Sequence, residues 1–375
     1  MESPIESKNN SLILGKSGNL KRALCDKLGR FVLFSITAVP TLAIVFMIFF
    51  IVGEALPFFK SLADVGEFFS STNWEPSAAN PHFGALSIFY GTAMVTVVSC
   101  AIAVPLGILV ALCLSEIVSG KAAGFFKIIV ELLAAIPSVV YGFFAIVVFA
   151  PFLQDYGGFL VSSLTAFFGV IIAFLGGVLC KTILGERRRL FANIISAAVF
   201  CGILGLSLYV ADRALTMQIS SGTNAFNASV ILAIMALPTI VSISQDSLSS
   251  VGRDMREGSL ALGATKTETI FKVIIPCAKS GIAAAVILGL MRVIGETMVV
   301  WMASGNSLKI PEPFYNIFEP VRTMTATIAG EMGEADQSTG SARYHVLFAM
   351  SVCLLFSALA MNMAGSYVGK SRLKK

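Results

Sequence analysis

Apolar residues run in long stretches along this chain, and polar residues gather between the stretches. A helix that crosses a bilayer needs roughly 20 mostly apolar residues. About eight such runs stand out, at 31–52, 86–116, 128–153, 159–180, 191–211, 227–244, 281–303 and 344–365. The second is long enough to tilt or to open with an interfacial turn. The run 227–244 is the most polar, with Asn227, Ser229, Thr239, Ser242 and Ser244. Such polarity suits a helix that faces a bundle interior or a pathway instead of lipid. The pattern predicts an all-α polytopic transmembrane bundle. A polar segment 1–30 precedes a membrane domain 31–365, and a basic tail 366–375 follows it. Within the domain, a helix pair is expected at 159–211 and a cytoplasmic loop at 245–280.

Composition agrees with this reading. Of 375 residues, 56% are hydrophobic and 13% charged, against about 25% charged in an ordinary soluble domain. The first apolar run is too long for a cleavable signal, and no small-residue cleavage site follows Phe50. It is expected to remain as an anchor.

Charge orients the spans. With a cytoplasmic N-terminus and every span crossing, the segments 1–30, 117–127, 181–190, 245–280 and 366–375 lie inside. They hold 21 of the 27 Lys and Arg residues. The outside segments hold Lys60, Arg213, Lys309, Arg322 and Arg343, and Arg292 falls within a span. Cytoplasmic loops are enriched in Lys and Arg, so both termini are expected inside, as is the Arg187-Arg188-Arg189 connector. The net charge of +5 is therefore a topology signal. The basic residues are scattered over five loops, and no nucleic-acid partner is expected.

The chemistry of the side chains excludes several functions. His82 and His345 are far apart, and none of the seven cysteines forms a C-x-x-C pair, so no metal site or disulfide framework is expected. Gly15-Lys16-Ser17 and Gly369-Lys370-Ser371 look like the end of a P-loop. The glycine required five residues earlier is replaced by Asn10 and Ala364, so ATP is expected to bind a partner. No set of nucleophile, base and orienting group is visible, which argues against an enzyme.

The segment 247–280 carries a motif. Leu248, Val251, Met255, Ser259 and Leu262 fall at helical spacing. Gly263 suits a left-handed C-cap. Thr265 or Thr267 can cap a second helix with Glu268 in its first turn, and Pro276 is expected to bend the chain into the next span. Glu257, Gly263 and Pro276 fall at the spacing of E-A-A-x3-G-x9-I-x-L-P. The loop thus resembles that of ABC importer permeases, which docks in a cleft of the ATPase. Gly258 and Ser259 replace the two alanines; Val273 and Ile275 are conservative replacements.

Other stretches narrow the resemblance. Asn73-Trp74-Glu75-Pro76, Tyr90-Gly91-Thr92, Val104-Pro105-Leu106-Gly107 and Ile136-Pro137-Ser138-Val139-Val140-Tyr141-Gly142 are similar to phosphate permeases. Arg292-Val293-Ile294-Gly295-Glu296-Thr297-Met298 and Thr323-Met324-Thr325-Ala326-Thr327-Ile328-Ala329 resemble the PstC type more than the PstA type. That family usually has six spans, so the pair at 159–211 is an addition.

Arg292 lies midway through the span 281–303, with Glu296 four residues on. At this spacing the two can pair on one helix face, which Ala285 and Gly289 continue and so open to a close neighbour. From spacing alone, a structural ion pair and a place on a substrate path both remain open. The family resemblance implies the second, with Arg292 and Glu296 on the phosphate path. It also implies that Glu257, Gly263 and Pro276 couple to the ATPase, within a type I, MetI-like fold in a bacterial inner membrane. The implied partners are a PstA-like permease, a PstB-like ATPase and an extracytoplasmic PstS-like phosphate-binding protein. The alternatives are a permease for another oxyanion or small solute, and a secondary transporter or channel that needs no ATPase.

Overall fold

The structure is a computed structural model that describes residues 16–78, 80–118, 120–184, 189–215, 219–334 and 341–370. It is built almost wholly of helices. Helix α1 (Lys16–Phe59) and the short α2 (Leu62–Ser70) lead to a two-stranded hairpin, β1 (Trp74–Glu75) and β2 (His82–Phe83). Helix α3 (Leu86–Leu112) ends in a π turn, Cys113–Ile117. Helix α4 (Gly120–Ala135) and α5 (Ser138–Phe144) are separated by a break at Pro137, whose extended backbone stops the helix. A second π turn, Ala145–Phe149, joins α5 to α6 (Ala150–Leu184), and α7 (Arg189–Leu215) packs back along α6. Next come α8 (Ala225–Ser249), α9 (Arg253–Ala261) and α10 (Lys266–Thr269). A third π turn, Ile270–Ile274, joins α10 to α11 (Ile275–Ile294). The last helices are α12 (Met298–Ala303), α13 (Met324–Met332) and α14 (Ala342–Lys370).

Among the described residues, six helical stretches are long and apolar enough to cross a membrane. They are Cys25–Phe59, Leu86–Ile117, Ser138–Phe167, Ala225–Ser249, Lys266–Ile294 and Ala342–Gly365. The expected eight is therefore approximate, and the difference lies around the added pair. No break separates the runs 128–153 and 159–180, because the helix continues through Gln154–Phe159 to Leu184. Gly157 there serves packing, not a turn: a Cβ on it would strike the side chain of Ile219. The Arg187-Arg188-Arg189 connector lies mainly outside the described residues, as do the N-terminal residues 1–15 and the tail beyond Lys370. Leu164, Phe167, Ile172, Leu206 and Tyr209 on the pair are exposed, as lipid-facing positions are.

The core forms around α8, which packs against α3 and α11. Its polar residues are inside, as their pattern predicts. Asn227, Ser229 and Ser244 are fully buried. Ser229 returns its hydroxyl to Ala225 O at 2.7 Å. Asn227 donates through Nδ2 to Ala145 O at 3.0 Å and to Gly222 O at 2.9 Å, which ties the base of the added pair to the core. Buried polar groups are costly unless bonded, so these contacts explain how a polar helix can be central.

Ile240 sits between α3 and α11. A Cβ on Gly107 would lie 2.7 Å from its Cγ2, and one on Gly289 would lie 2.5 Å from its Cγ1. Two helices thus approach α8 closely because each presents a glycine to the same isoleucine.

A cap closes the end of the bundle where α3 begins. Phe58 meets Phe68 and Phe83 edge-on at 5.4 and 5.6 Å, and the cluster includes Val346 and Leu347 of α14. Glu331 is pinned there by Arg322 at 3.0 Å, by Arg343 at 3.6 Å and by the Trp74 indole N–H at 2.9 Å.

Candidate functional site

Three interruptions of helix meet around Arg292. The first is the end of α11. Its last residue is Ile294, Gly295 caps it, and α12 starts only at Met298. The span expected at 281–303 is thus a broken helix. The consequence corrects one reading: Arg292 and Glu296 do not share a helix face, because the helix stops between them. Arg292 instead reaches α8, donating through Nη1 to the Thr239 hydroxyl at 3.1 Å. Among the described residues, the Arg–carboxylate pairs join other partners.

The second interruption is at Pro137 between α4 and α5. It places Tyr141 within electrostatic reach of Arg292, and the Tyr141 hydroxyl donates to Leu133 O at 2.8 Å, across the break. The third is the start of α13, where Thr323 caps the helix. Thr325 donates to the backbone oxygen of Glu296 at 2.8 Å, and Thr92 accepts from the Met324 N–H at 3.0 Å. Glu296 lies in the break between α11 and α12 and is half-buried. Ala285 and Gly289 are buried on the Arg292 helix, as the small-residue face predicts.

Chemically, the arrangement is a guanidinium held at a helix end by one neutral hydroxyl. Its remaining donors point to no carboxylate of its own helix. Arginine presents a planar fork of five N–H groups that matches the oxygens of an oxyanion. Broken helices that offer backbone ends and polar side chains at mid-span form substrate sites in many transporters. Thr239 was flagged in the sequence only as a polar position in its helix; its partnership with Arg292 carries no local signal. Neither does the Arg322–Glu331–Arg343 cluster, whose members looked like ordinary loop charges.

The loop motif folds as a helix pair. Gly263 has φ +85° and joins α9 to α10, the left-handed conformation that favours glycine. Thr265 forms a capping box with Glu268. Glu257 is exposed on α9, and Leu262 beside the turn is 91% exposed. Pro276 does not break the chain: it sits in the first turn of α11, and the π turn before it absorbs the lost hydrogen bond. The helix therefore runs on from Lys266 to Ile294.

The comparisons with known proteins agree with this geometry. The chain is 31% identical over 306 residues to the "Probable ABC transporter permease protein YqgH" of Bacillus subtilis (strain 168), covering 82% of this chain and 78% of that one. It is 33% identical over 298 residues to the "Phosphate transport system permease protein PstC" of Mesorhizobium japonicum, covering 79% and 77%. A PstC of Haemophilus influenzae is 30% identical over 270 residues, covering 72% and 71%. Residues 103–365, which hold the broken helix, Thr239 and the loop motif together, match the family described as "Binding-protein-dependent transport system inner membrane component". This chain belongs to that family, as a multi-pass membrane permease of the ABC type.

Proposed function

We propose that this chain is the permease subunit of an ATP-driven phosphate importer, and that Arg292 lies on its substrate path. The observation that carries the reading is Arg292 itself, a cation held inside a membrane bundle at a helix end by Thr239. A charged side chain within a membrane bundle is costly and normally faces the bundle interior or a pathway. The names of the PstC relatives supply the substrate. Glu296, in the break that follows Arg292, would partly offset the positive charge along the path, so that the anion can leave.

In this reading, a second, PstA-like permease completes the path. A PstB-like ATPase docks on α9 and α10, where Glu257, Gly263 and Pro276 form the coupling segment, and it binds the ATP. A PstS-like protein delivers phosphate from outside. Both termini lie on the cytoplasmic side of the inner membrane, with 31–365 as the permease domain and 245–280 as its coupling loop.

The test is purification of the tagged chain, identification of its partners and reconstitution of the complex in liposomes. ATP-dependent phosphate uptake with a bound ATPase is expected. Uptake by the chain alone would replace this reading with a secondary transporter or channel. Competition by another oxyanion, with phosphate inert, would change the substrate.

Two variants probe the loop. Gly263→Val puts a β-branched residue at φ +85°, which disfavours the turn. Uptake should fall about tenfold or more, with less ATPase retained on purification, while membrane insertion persists. Normal uptake with normal retention would sink the coupling role. Leu262→Cys, in a background freed of native cysteines, tests orientation. An impermeant thiol reagent should label it only after cells are permeabilised; labelling of intact cells would invert the topology.

A further inference from the structure

The loop helices touch the rest of the bundle through one side chain in particular. Arg256 lies on α9 and is largely covered, its side chain 22% exposed. Its guanidinium clasps Glu116, with Nη2 to Oε1 at 2.8 Å and Nε to Oε2 at 3.4 Å. Glu116 is only 10% exposed and belongs to the π turn that ends α3. The same guanidinium donates to Leu248 O at 2.8 Å and to Val251 O. The Leu248 carbonyl lies in the last turn of α8 and Val251 just beyond it, where a cation is favoured.

One residue therefore joins three elements: the exposed loop helix α9, the end of α3 and the end of α8. Around the joint, Ala111, Leu248, Val251, Ile274 and Ala278 form a separate apolar cluster, so the polar contacts are made against a packed, low-dielectric surround. Helix α8 carries the joint to the site. Thr239, the partner of Arg292, lies nine residues before Leu248, about 14 Å along the helix. Helix α3 reaches the same region through Gly107 against Ile240.

We propose that Arg256 is the positioning residue that transmits movement of the cytoplasmic helix pair to the substrate path. The proposal rests on the reading that an ATPase docks on this loop. Arginine suits the task because its five donors in a planar fork can bind both oxygens of a carboxylate and two carbonyls at once, whereas a lysine has three donors on a single nitrogen. Glu116 completes the joint by holding the fork against α3. When α9 is displaced, α3 and α8 are pulled together, and Thr239 moves relative to Arg292.

The experiment uses the complete complex in proteoliposomes and reads phosphate imported per ATP hydrolysed, normalised to assembled complex. Arg256→Gln and Glu116→Gln should each lower this ratio by about tenfold or more, with ATP hydrolysis within about twofold of the parent. Arg256→Lys should recover part of the ratio, since it keeps the charge and loses the fork. Glu116→Gln leaves the Arg256 carbonyl bonds in place, so it remains informative if Arg256→Gln fails to assemble. An unchanged ratio in Glu116→Gln, whether or not total activity falls, would overturn the proposal, because a merely stabilising contact lowers import and hydrolysis together. A parent chain that retains no ATPase would instead overturn the underlying reading, before any variant is made.

Discussion

Changing both Arg292 and Glu296 to Gln should leave the complex assembled and reduce phosphate uptake by about 100-fold, or ~2.7 kcal/mol at 1.36 kcal/mol per factor of ten. The argument comes from what Arg292 touches. A structural arginine in a membrane bundle needs a carboxylate, since an unpaired buried charge destabilises strongly. Here the helix ends between Arg292 and Glu296, and the contact made is with the neutral Thr239 hydroxyl. If the arginine served packing alone, removing both charges would relieve the bundle, and uptake would persist. If it binds the anion, neutralisation removes the binding group and nothing replaces it. Arg292→Lys keeps the charge without the fork and should retain partial uptake, about a tenth of the parent. Thr239→Val should have a smaller effect, about threefold, since it removes one hydrogen bond that orients the guanidinium. The measurement is uptake per assembled complex. Full uptake by the double Gln variant would leave Arg292 as scaffolding.

Gly107→Val should damage folding. A Cβ there lies 2.7 Å from Cγ2 and 3.0 Å from Cβ of Ile240, and the latter atom cannot swing away. Ile240 has no free side either, because Gly289 faces it from α11, and it is 1% exposed. Overpacking a closed site costs about 1–3 kcal/mol, sometimes more. The amount of monodisperse protein in detergent should fall severalfold, and its melting temperature should drop. Ile240→Ala alone should also destabilise, by about 2–5 kcal/mol, through the cavity it leaves. Combined with Gly107→Val, it should recover much of the loss, because valine occupies the vacated space. A double variant as unstable as the sum of the singles would show that the three residues are not one packing unit.

Hydropathy made the membrane helices legible, because burial in lipid requires apolar length whatever the tertiary detail. The central place of α8 was legible too, since residues as polar as Asn227 and Ser229 are tolerated in a span only where other groups bond them. Gly263 could be placed in a turn because one helical spacing ends just before it and a capping threonine with Glu268 follows it. The interruptions of helix were harder. Gly295 sits in an apolar run, and nothing in hydropathy says that the chain stops there, so Arg292 and Glu296 were put on one face. Conversely, the polar residues between the runs 128–153 and 159–180 suggested a connector where the helix continues. Pro276 was read as a bend into the next span, and helix continues through it from a π turn. Trp74 and Glu331 lie 257 residues apart in sequence, and only the folded chain shows them in contact.

The base of the added helix pair has a practical consequence. Gly157 touches Ile219 and Gly222 touches Ala150, so the strands of chain that enter and leave the pair are already side by side. A short linker between them would close the bundle with the pair removed, which makes the pair a natural cassette. The reverse operation is as useful. Helix α6 runs on from the π turn to Leu184, so a compact domain grafted near its far end would extend from the core along that helix. A permease with little mass outside the bilayer is hard to orient in electron micrographs, and such a graft would serve as its fiducial marker.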